Sequence, residues 1–457
     1  MKKHHICLLI YLIMQLFVSI ACNVKEVKIN QDSVTFITND TKRLTTNVKP
    51  FYANKKTLTW TSSDTDVATV SDNGTVTAIK MGKAVISVVA KDTGHTSNCN
   101  LLVEPNVYVA GCLLHKSGRH VATLWKNGHP QQLGNAEKGS VAYSVYVSPN
   151  DIYVAGYEVK PPSNIIQEEH DATVLATLWK NGELQLKALR EARNWHVATL
   201  WKNGEPQYLS DGKNDAEANS VYVSANDIYV AGYEINAQLN KVATLWKNGE
   251  AQYLSDGKND AEANSVYVSD LKDVYVAGYE EDPKREAKKE GSAARMWMIS
   301  GSYKKQYTPD TLYARANSVY VDGGDMYLAG TGLNEFYFIL RTGVSYSVLF
   351  KNLITVPLAN QGALAEGKSV FVSGKNVYVA GTKSDKAVLW ENTEGFKVLS
   401  DEKYSSANSV YVSSGGDVYV AGNQGARWLD EKSMALLWKN GQKSVLGNGA
   451  AYSVFLR

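Results

Sequence analysis

Ser220-Val-Tyr-Val-Ser224 is the first of four short pieces of sequence that indicate the fold. The other three follow after short connections; they are Asp227-Ile-Tyr-Val-Ala-Gly-Tyr233, Val242-Ala-Thr-Leu-Trp-Lys-Asn-Gly249 and Glu250-Ala-Gln-Tyr-Leu254. Apolar and polar residues alternate within each piece, which is typical of half-buried β-strands. Asn-Gly after Trp-Lys indicates a tight hairpin turn, since both residues tolerate a positive φ. The stretch therefore predicts four consecutive antiparallel strands.

The same four pieces recur along the rest of the chain. The motif V-Y-V-A-G, with close variants, starts at Val107, Ile152, Ile228, Val274, Met326, Val377 and Val418. The motif S-V-Y-V-S starts at Ser144, Ser220, Ser265, Ser318, Ser369, Ser409 and Ser453. The motif A-T-L-W-K-N-G places tryptophans at Trp125, Trp179, Trp201, Trp246, Trp297, Trp390 and Trp438, and the stretch Phe338-Ile339-Leu340 takes an eighth place without one. Four antiparallel strands in a repeat of about 40 to 50 residues form one blade of a β-propeller.

The two ends of the repeat region predict how the ring closes. The region opens at Val107 with a second strand that no S-V-Y-V-S strand precedes, and the chain ends on Ser453-Val-Phe-Leu-Arg457, a first strand that nothing follows. We expect the last strand to complete the blade that begins at Val107, because closure removes exposed sheet edges.

One irregularity leaves the blade number open. Successive V-Y-V-A-G motifs are 45, 76, 46, 52, 51 and 41 residues apart, and the long interval contains two copies of A-T-L-W-K-N-G. The interpretation is seven full blades with an extra β-hairpin inserted between Leu175 and about Arg193, and the alternative is an eighth, incomplete blade. Either way the fold class is all-β, with the propeller at residues 105–457.

Residues 24–104 carry a different alternating pattern. It contains Trp60-Thr-Ser-Ser-Asp64, Val67-Ala-Thr-Val70, Asn73-Gly-Thr-Val-Thr-Ala78 and Gly82-Lys-Ala-Val-Ile86. This order of motifs resembles the group 2 bacterial Ig-like family. The resemblance implies a small β-sandwich with Trp60 in its core, either as an adhesive module or as a spacer. Its single copy beside the N-terminus favours a spacer.

The N-terminus has the pattern of an export signal. Lys2 and Lys3 precede an apolar run from Ile6 to Ile20, and this pattern predicts a signal peptide over residues 1–21. Ser19-Ile-Ala-Cys22 resembles a bacterial lipobox, although Ser19 stands where leucine is usual. The resemblance implies that Cys22 is lipidated, with residues 22–23 as the anchor site, on an exported protein of the cell envelope or outer surface.

Composition excludes some partners and leaves the remaining cysteines undecided. The 457 residues carry a formal net charge of +2 and no long Lys/Arg run, so we expect no nucleic-acid partner. The membrane is expected to be contacted only through the lipid anchor, by a monomer. Cys99 and Cys112 either pair in an oxidising compartment or act as two small buried apolar residues.

Candidate binding residues precede the first strand of each blade. The sequence Ala-Asn-Ser recurs there, and it places amides at Asn219, Asn264, Asn317 and Asn408; the other blades have Tyr143, Lys368 and Tyr452. If the first strand is innermost, these side chains surround one mouth of the central channel. A ring of amides and aromatics suits a sugar or a peptide, and the alternative role is hydrogen bonding between blades.

Catalytic and metal-binding patterns are weak. Glu168-Glu169-His170 lacks a partner at catalytic spacing, and Asp256-Gly-Lys-Asn-Asp260 lacks the ligand order of a calcium loop. We predict no catalytic residue, cofactor or metal. The leading hypothesis is a non-enzymatic surface protein that binds a glycan, a peptide or another envelope protein. The alternative is a glycan-active hydrolase or lyase, which would need carboxylates that converge at one mouth.

Overall fold

A computed structural model describes residues 23–53, 57–133, 136, 140–160, 173–180, 183–184, 199–202, 205–209, 216–281, 291–309, 314–333, 345–358, 364–393, 395–425 and 432–457. The signal sequence and Cys22 lie outside these residues, as do Glu168-Glu169-His170. Throughout the described residues the regular elements are β-strands, which confirms the predicted fold class. Contacts divide the chain into two units; one ends at Asn106 and also includes Arg457, and the other spans Val107–Leu456.

The first unit is a small sandwich. Its strands are β1 (Glu26–Ile29), β2 (Ser33–Ile37), β3 (Thr41–Arg43), β4 (Thr46–Lys49), β5 (Leu58–Ser62), β6 (Ala68–Val70), β7 (Thr75–Ala78), β8 (Gly82–Ala90) and β9 (Thr96–Glu104). They form the sheets β1-β4, β2-β9-β8-β5 and β3-β7-β6. Trp60, Phe36 and Ile86 are buried between the sheets, which confirms the prediction that Trp60 lies in the core.

The predicted Asn73-Gly74 hairpin has a longer turn than expected. The turn spans residues 71–74, and in it only Gly74 has a positive φ, of 81°. Ser71 closes the turn instead, because its carbonyl accepts from the Gly74 amide at 2.9 Å and its hydroxyl pairs with Asn73 Oδ1 at 2.7 Å. A Cβ on Gly74 would lie 2.7 Å from the Trp60 ring, so the glycine is also required for close packing.

The second unit contains seven four-stranded antiparallel blades. Blade 1 has β10 (Val107–Leu114), β11 (His120–Lys126) and β12 (His129–Gln132); blade 2 has β13 (Ser140–Val147), β14 (Ile152–Lys160), β15 (Thr173–Lys180) and β16 (Glu183–Leu184); blade 3 has β19 (Ala216–Ser224), β20 (Asp227–Ile235), β21 (Lys241–Lys247) and β22 (Glu250–Tyr253). Blade 4 has β23 (Ala261–Val268), β24 (Val274–Glu281), β25 (Ser292–Ser300) and β26 (Tyr303–Tyr307); blade 5 has β27 (Ala314–Asp322), β28 (Asp325–Leu333), β29 (Ser345–Lys351) and β30 (Ile354–Pro357). Blade 6 has β31 (Ala365–Ser373), β32 (Asn376–Lys383), β33 (Lys386–Glu391) and β34 (Gly395–Val398); blade 7 has β35 (Ser406–Val412), β36 (Val418–Gln424) and β37 (Met434–Lys439).

The C-terminal strand closes the ring, as predicted. Strand β38 (Gln442–Leu456) is 15 residues long, and its first half pairs with β37 as the outer strand of blade 7. Its second half pairs with β10, with Leu456 opposite Val107 and Val454 opposite Val109. One continuous strand therefore joins the last blade to the first.

The extra hairpin is not where the sequence placed it. The first copy of A-T-L-W-K-N-G forms β15 of blade 2, where Trp179 pairs with Val154. The second copy forms a separate two-stranded sheet of β17 (Thr199–Lys202) and β18 (Glu205–Tyr208). Leu209 follows β18, and its carbonyl accepts a hydrogen bond from Trp246 Nε1 of blade 3. The carbonyl of Leu399 does the same for Trp438 at 3.0 Å, so β18 ends in the position that a fourth strand normally occupies.

The tryptophan position of blade 5 is filled by Phe350 rather than by residues 338–340, which lie outside the described part. Phe350 pairs with Leu328 as Trp246 pairs with Val230, and both aromatic side chains are fully buried. The prediction named the wrong segment because V-L-F-K-N lacks the tryptophan that marks the motif elsewhere.

In five of the seven blades a Lys-Asn pair follows the buried aromatic residue of the third strand and stabilises the blade edge. In blade 3 the Asn248 side chain accepts from the Ile228 amide at 2.9 Å and donates to Asp227 at 2.7 Å, while Lys247 pairs with the same carboxylate at 2.9 Å. In blade 6 both partners differ: Asn376 occupies the position of the aspartate and Glu391 that of the lysine. The Asn376 amide donates to Glu391 at 3.3 Å. The repeated motif is thus explained by packing within each blade.

Candidate functional site

Every innermost strand contains one β-bulge, and the bulge falls on the positions singled out from the sequence. The register of the first two strands skips a residue in all seven blades; the skipped residues are Tyr143, Asn219, Asn264, Asn317, Lys368, Asn408 and Tyr452. We call the channel end at which these residues lie the bulge mouth. A bulge re-aims a side chain, and this explains why the position accepts amide, aromatic and cationic residues alike.

The asparagine amides link neighbouring blades. Each Nδ2 donates to the backbone carbonyl that precedes the next bulge: Asn219 to Ala263 at 3.1 Å, Asn264 to Ala316 at 2.9 Å, Asn317 to Gly367 at 2.8 Å and Asn408 to Ala451 at 2.8 Å. Hydrogen bonding between blades, the alternative role, is therefore present. Ligand binding by the same four residues stays a prediction, and the Oδ1 of Asn408 already accepts from Ser406 Oγ at 2.6 Å and from Lys368 Nζ at 3.3 Å.

The serine that follows each bulge makes a second link in the same direction. Ser220 Oγ accepts from the Val266 amide at 3.3 Å, Ser318 Oγ from Val370 at 3.2 Å, and Ser453 Oγ from Val145 at 3.3 Å. The A-N-S repeat is thereby explained as a pair of blade-to-blade contacts.

Replacing one bulge amide tests this structural role. We expect Asn317→Ala to lower the free energy of unfolding by about 1 kcal/mol, because the Gly367 carbonyl loses its donor. Chemical denaturation of the chain from residue 23 measures the change. Gln131→Ala, at an exposed position of the outer strand β12, gives the cost of losing an amide away from the channel. An unchanged midpoint for Asn317→Ala would show that the inter-blade bond contributes nothing.

A closed ring of seven aromatic side chains lies deeper in the channel. It consists of Tyr146, Tyr222, Tyr267, Tyr320, Phe371, Tyr411 and Phe455, one from each innermost strand, and we call it the aromatic collar. Neighbouring ring centroids are 4.5 to 5.4 Å apart around the whole circuit, including the contact of Phe455 with Tyr146 that closes it. Interplanar angles of 38° to 58° lie around the step of about 51° between blades of a seven-bladed ring.

The collar constricts the channel. Seven ring centroids about 5 Å apart lie on a circle roughly 6 Å from the channel axis. If each ring turned its face to the axis, the edges of neighbouring rings would be closer together than the ~3.5 Å contact distance of carbon atoms. The rings must therefore point their edges inward, in the tilted arrangement that aromatic pairs prefer. The seven rings therefore narrow the channel at this depth.

Burial keeps the collar phenols protonated. Desolvation, followed by the neighbouring phenols, raises the pKa of Tyr222 well above its ordinary value, and burial raises the pKa of Tyr320 to about 12. A phenol with so high a pKa carries its proton at neutral pH and cannot act as a general base. The collar thus forms a chemically inert floor beneath the bulge mouth.

The residue two positions before each bulge varies between blades. It is Val141, Glu217, Glu262, Arg315, Glu366, Ser406 or Ala450 in blades 2 to 7 and 1. These seven positions cannot be recognised from one repeat, although an alignment of the seven repeats on V-Y-V-A-G displays their variation. Function is more often carried by what differs between repeats than by what all share.

Glu262 is the centre of a polar cluster at blades 3 and 4. Its carboxylate accepts from Asn219 Nδ2 at 3.1 Å and from the Tyr279 hydroxyl at 3.0 Å, and it pairs with Lys241 Nζ at 3.2 Å. Lys241 also lies 4.0 Å above the Tyr233 ring. Burial and the charge of Glu262 raise the pKa of Tyr279 above its ordinary value. Glu262 is therefore committed to three donors within the protein.

Arg315 of blade 5 is held differently. Its Cζ lies 4.2 Å above the Tyr279 ring and its Nε donates to Ser292 Oγ at 3.1 Å, while the residue remains exposed. Arg295 of blade 4, by contrast, pairs with Glu280 at 2.8 Å. Within the described ranges, no carboxylate lies at ion-pair distance from Arg315. These two contacts hold the guanidinium in position over the Tyr279 ring.

An aromatic pair lies on the opposite side of the bulge mouth. Tyr143 of blade 2 and Tyr452 of blade 1 meet edge to face, with centroids 5.3 Å apart, and Tyr143 is 36% exposed. Blade 5 is separated from blades 1 and 2 by two blades on either side, so Arg315 stands across the ring from this pair. The bulge end of the ring therefore carries an aromatic pair at blades 1 and 2 and an exposed arginine at blade 5.

The remaining candidates give no chemical site. Cys99 and Cys112 are both free and buried, which answers the question left open by the sequence, and burial raises the pKa of Cys112 to about 12. In the loop at 256–260 the carboxylates bind within the protein: Asp260 accepts from the Lys241 amide at 2.7 Å and Asp256 pairs with Lys258 at 2.9 Å. No group of three metal-binding side chains occurs among the described residues. The same residues contain no helix that is long and apolar enough to cross a membrane.

Comparison with known proteins identifies the first unit. Residues 23–100 match the model of the bacterial Ig-like domain (group 2). A 74-residue segment is 39% identical to part of an α-L-arabinofuranosidase of Bifidobacterium longum; it covers 16% of this chain and 7% of that protein. The chain thus spans a small fraction of this relative's length.

The solved structures below are similar to this chain in fold alone. A quinonprotein alcohol dehydrogenase-like protein of Bacteroides thetaiotaomicron aligns over 93% of this chain and 96% of its own, with 10% identity and a TM-score of 0.35. A puromycin-hydrolysing peptidase of Mycobacterium tuberculosis aligns over 86% of this chain and 53% of its own, with 9% identity and a TM-score of 0.44. The matched domain indicates a surface or extracellular bacterial protein, and residues 23–100 form a group 2 bacterial Ig-like domain followed by a seven-bladed β-propeller.

Proposed function

We propose that this protein is an exported, non-enzymatic binding protein that captures a glycan, a peptide or another envelope protein at the bulge mouth. The observation that carries the proposal is the asymmetry of that mouth. Tyr143 and Tyr452 offer an apolar stacking surface, and Arg315 stands opposite as a prepositioned cation. Aromatic and arginine side chains supply most of the binding energy in protein recognition sites.

The acids of the mouth favour binding over catalysis. Glu262 pairs with Lys241 at 3.2 Å, and Glu366 lies 3.7 Å from Lys368 Nζ. A glycosidase needs two carboxylates on either side of one bond, one of them kept protonated by its surroundings. Each of these carboxylates is instead engaged by a lysine of the protein itself, which suits a role in shaping the site.

Export and anchoring complete the proposal. The signal sequence at residues 1–21 and lipidation at Cys22 would fix the N-terminal side of the Ig-like domain to the membrane. The chain enters this domain at β1 and leaves it after Glu104 of β9, and β2 runs parallel to β9. Entry and exit at opposite ends of the sandwich support a spacer. Replacing Cys22 with serine should release the protein from the membrane fraction of cells.

A binding screen tests the site. The chain from residue 23 is screened against glycans and envelope proteins, and the same glycans are assayed for cleavage. We expect saturable binding without product, and an affinity at least about tenfold lower for Tyr143→Ala and for Arg315→Gln. Tyr303→Ala, on an outer strand where Tyr303 is 55% exposed, is the matched control and should bind normally. Product formation, or full affinity in both mouth variants, would contradict the proposal.

A further inference from the structure

Two consecutive aromatic side chains project from one end of the Ig-like domain. Phe51 is 81% and Tyr52 is 60% exposed, and their rings meet edge to face at 5.3 Å. The turn that carries them is closed by a hydrogen bond from the Ala53 amide to the Pro50 carbonyl at 3.0 Å, and Ala53 itself is buried. Large apolar side chains this exposed generally mark a contact surface.

This turn lies beside the point where the chain enters the domain. The Lys25 amide donates to the Lys49 carbonyl at 2.8 Å, and Glu26 pairs with Lys49 in the register of β1 and β4. Val24 is buried, so the chain is fixed from that residue onward. Cys22 is three residues before Lys25 and therefore within about 10 Å of it, at roughly 3.5 Å per residue.

Exposed lysines and acids lie together at the same end, since Lys25 precedes Glu26 and Lys91 precedes Asp92. The Lys91 amide donates to the Thr57 carbonyl at 2.9 Å, which brings the turn between β8 and β9 to this end, and Lys91 and Lys25 are both exposed. The opposite end differs, because there the Thr38 amide donates to the Glu104 carbonyl at 2.9 Å where the chain leaves the domain. Exposed aromatics with flanking lysines are the composition of a membrane-interface contact.

We propose that Phe51 and Tyr52 insert into the lipid headgroup region next to the acylated N-terminus, so that the Ig-like domain rests on the membrane by this turn. The inference rests on the proposed anchoring at Cys22, which places the bilayer within reach. An aromatic ring is stable at the interface because its apolar body leaves water while a phenol keeps its hydrogen bonds. The turn would fix the orientation of a domain that an acyl chain alone leaves free to swivel. It adds a membrane contact that the sequence analysis did not expect.

Selective labelling tests the contact. The native Cys99 and Cys112 are buried, so a single introduced thiol can carry an environment-sensitive fluorophore. Tyr52→Cys places the probe in the turn, and Ile79→Cys places it at another exposed apolar position, 47% exposed, near the opposite end. Each variant of the chain from residue 23 is tethered through an N-terminal histidine tag to phosphatidylcholine and phosphatidylglycerol vesicles that contain a nickel-chelating lipid.

The outcomes separate the two proposals. We expect a lipid-borne quencher to quench the probe at position 52 at least about threefold more than the probe at 79, as for a residue at the headgroup level. Equal, water-like emission from both positions would overturn the contact. The synthetic tether makes this result independent of lipidation. Retention of the Cys22→Ser protein in the membrane fraction would contradict the proposed anchor at Cys22 and would leave the proposed contact of the turn unaffected.

Discussion

Deletion of Ser453–Arg457 is expected to unfold the propeller or to lower its melting temperature by more than about 10 °C. These residues form the innermost strand of blade 1, paired with β10 from Val107 to Ala110. Val454 and Leu456 are buried, and Phe455 is one of the seven rings of the aromatic collar. Loss of two buried apolar side chains, at ~1.5–3 kcal/mol each, and of the half-buried Phe455 removes a large share of the net stability of a domain, which is ~5–15 kcal/mol.

A thermal melt of the chain from residue 23 measures the effect. Arg457→Ala is the matched control, since Arg457 is exposed and its backbone pairing is retained. Phe455→Ala opens the collar without removing the strand and should give an intermediate loss. A deletion protein that melts with the wild type would mean that β10 needs no partner and that the ring does not close through β38.

Trp438→Ala is expected to be among the most damaging single substitutions in the blades, like the loss of any fully buried blade tryptophan. Trp438 is fully buried, packs between blades 6 and 7, and donates from Nε1 to the Leu399 carbonyl at 3.0 Å. Truncating such a side chain leaves a large cavity and an unpaired carbonyl, and typical costs are ~3–5 kcal/mol. Denaturant unfolding of the chain from residue 23 measures the loss.

Blade 5 supplies the control for this substitution. Its own third strand has Phe350 in the tryptophan position, equally buried. Trp438→Phe keeps most of the apolar area and loses the hydrogen bond, so it should cost about 1–2 kcal/mol. Equal losses for the alanine and phenylalanine variants would indicate that the hydrogen bond, rather than packing, carries the contribution of the tryptophan.

The blade itself could be predicted from local residues. V-Y-V-A-G and A-T-L-W-K-N-G each indicate a strand by alternation, and Asn-Gly at the end of the second motif indicates a turn. These preferences act within a few residues of the chain. Seven repetitions then leave few architectures that bury both faces of every blade. The unmatched ends at Val107 and Ser453 were sufficient to predict closure, because only their mutual pairing completes a four-stranded unit.

The candidate site was predicted only in part. The A-N-S repeat led to the bulge residues, but whether Asn317 reaches a ligand or the Gly367 carbonyl depends on the position of the neighbouring blade. Arg315 escaped notice because its significance comes from Tyr279 and Ser292, which belong to blade 4. The collar likewise needs all seven blades at one radius, and no single repeat specifies a radius.

Patterns in the chain alone were enough to predict the all-β class, the Ig-like module, a propeller of seven or eight blades and the closing strand, since each depends on patterns within one repeat or on the count of repeats. Only the tertiary structure decided which of two nearly identical hairpins joins β14. Residues 176–182 and 198–204 share the same seven letters, so local preference cannot discriminate between them and packing against the adjoining strands must. It also decided which side chains of different blades meet at the channel, because contacts between distant residues follow from the closed ring and not from the alternation that builds each strand.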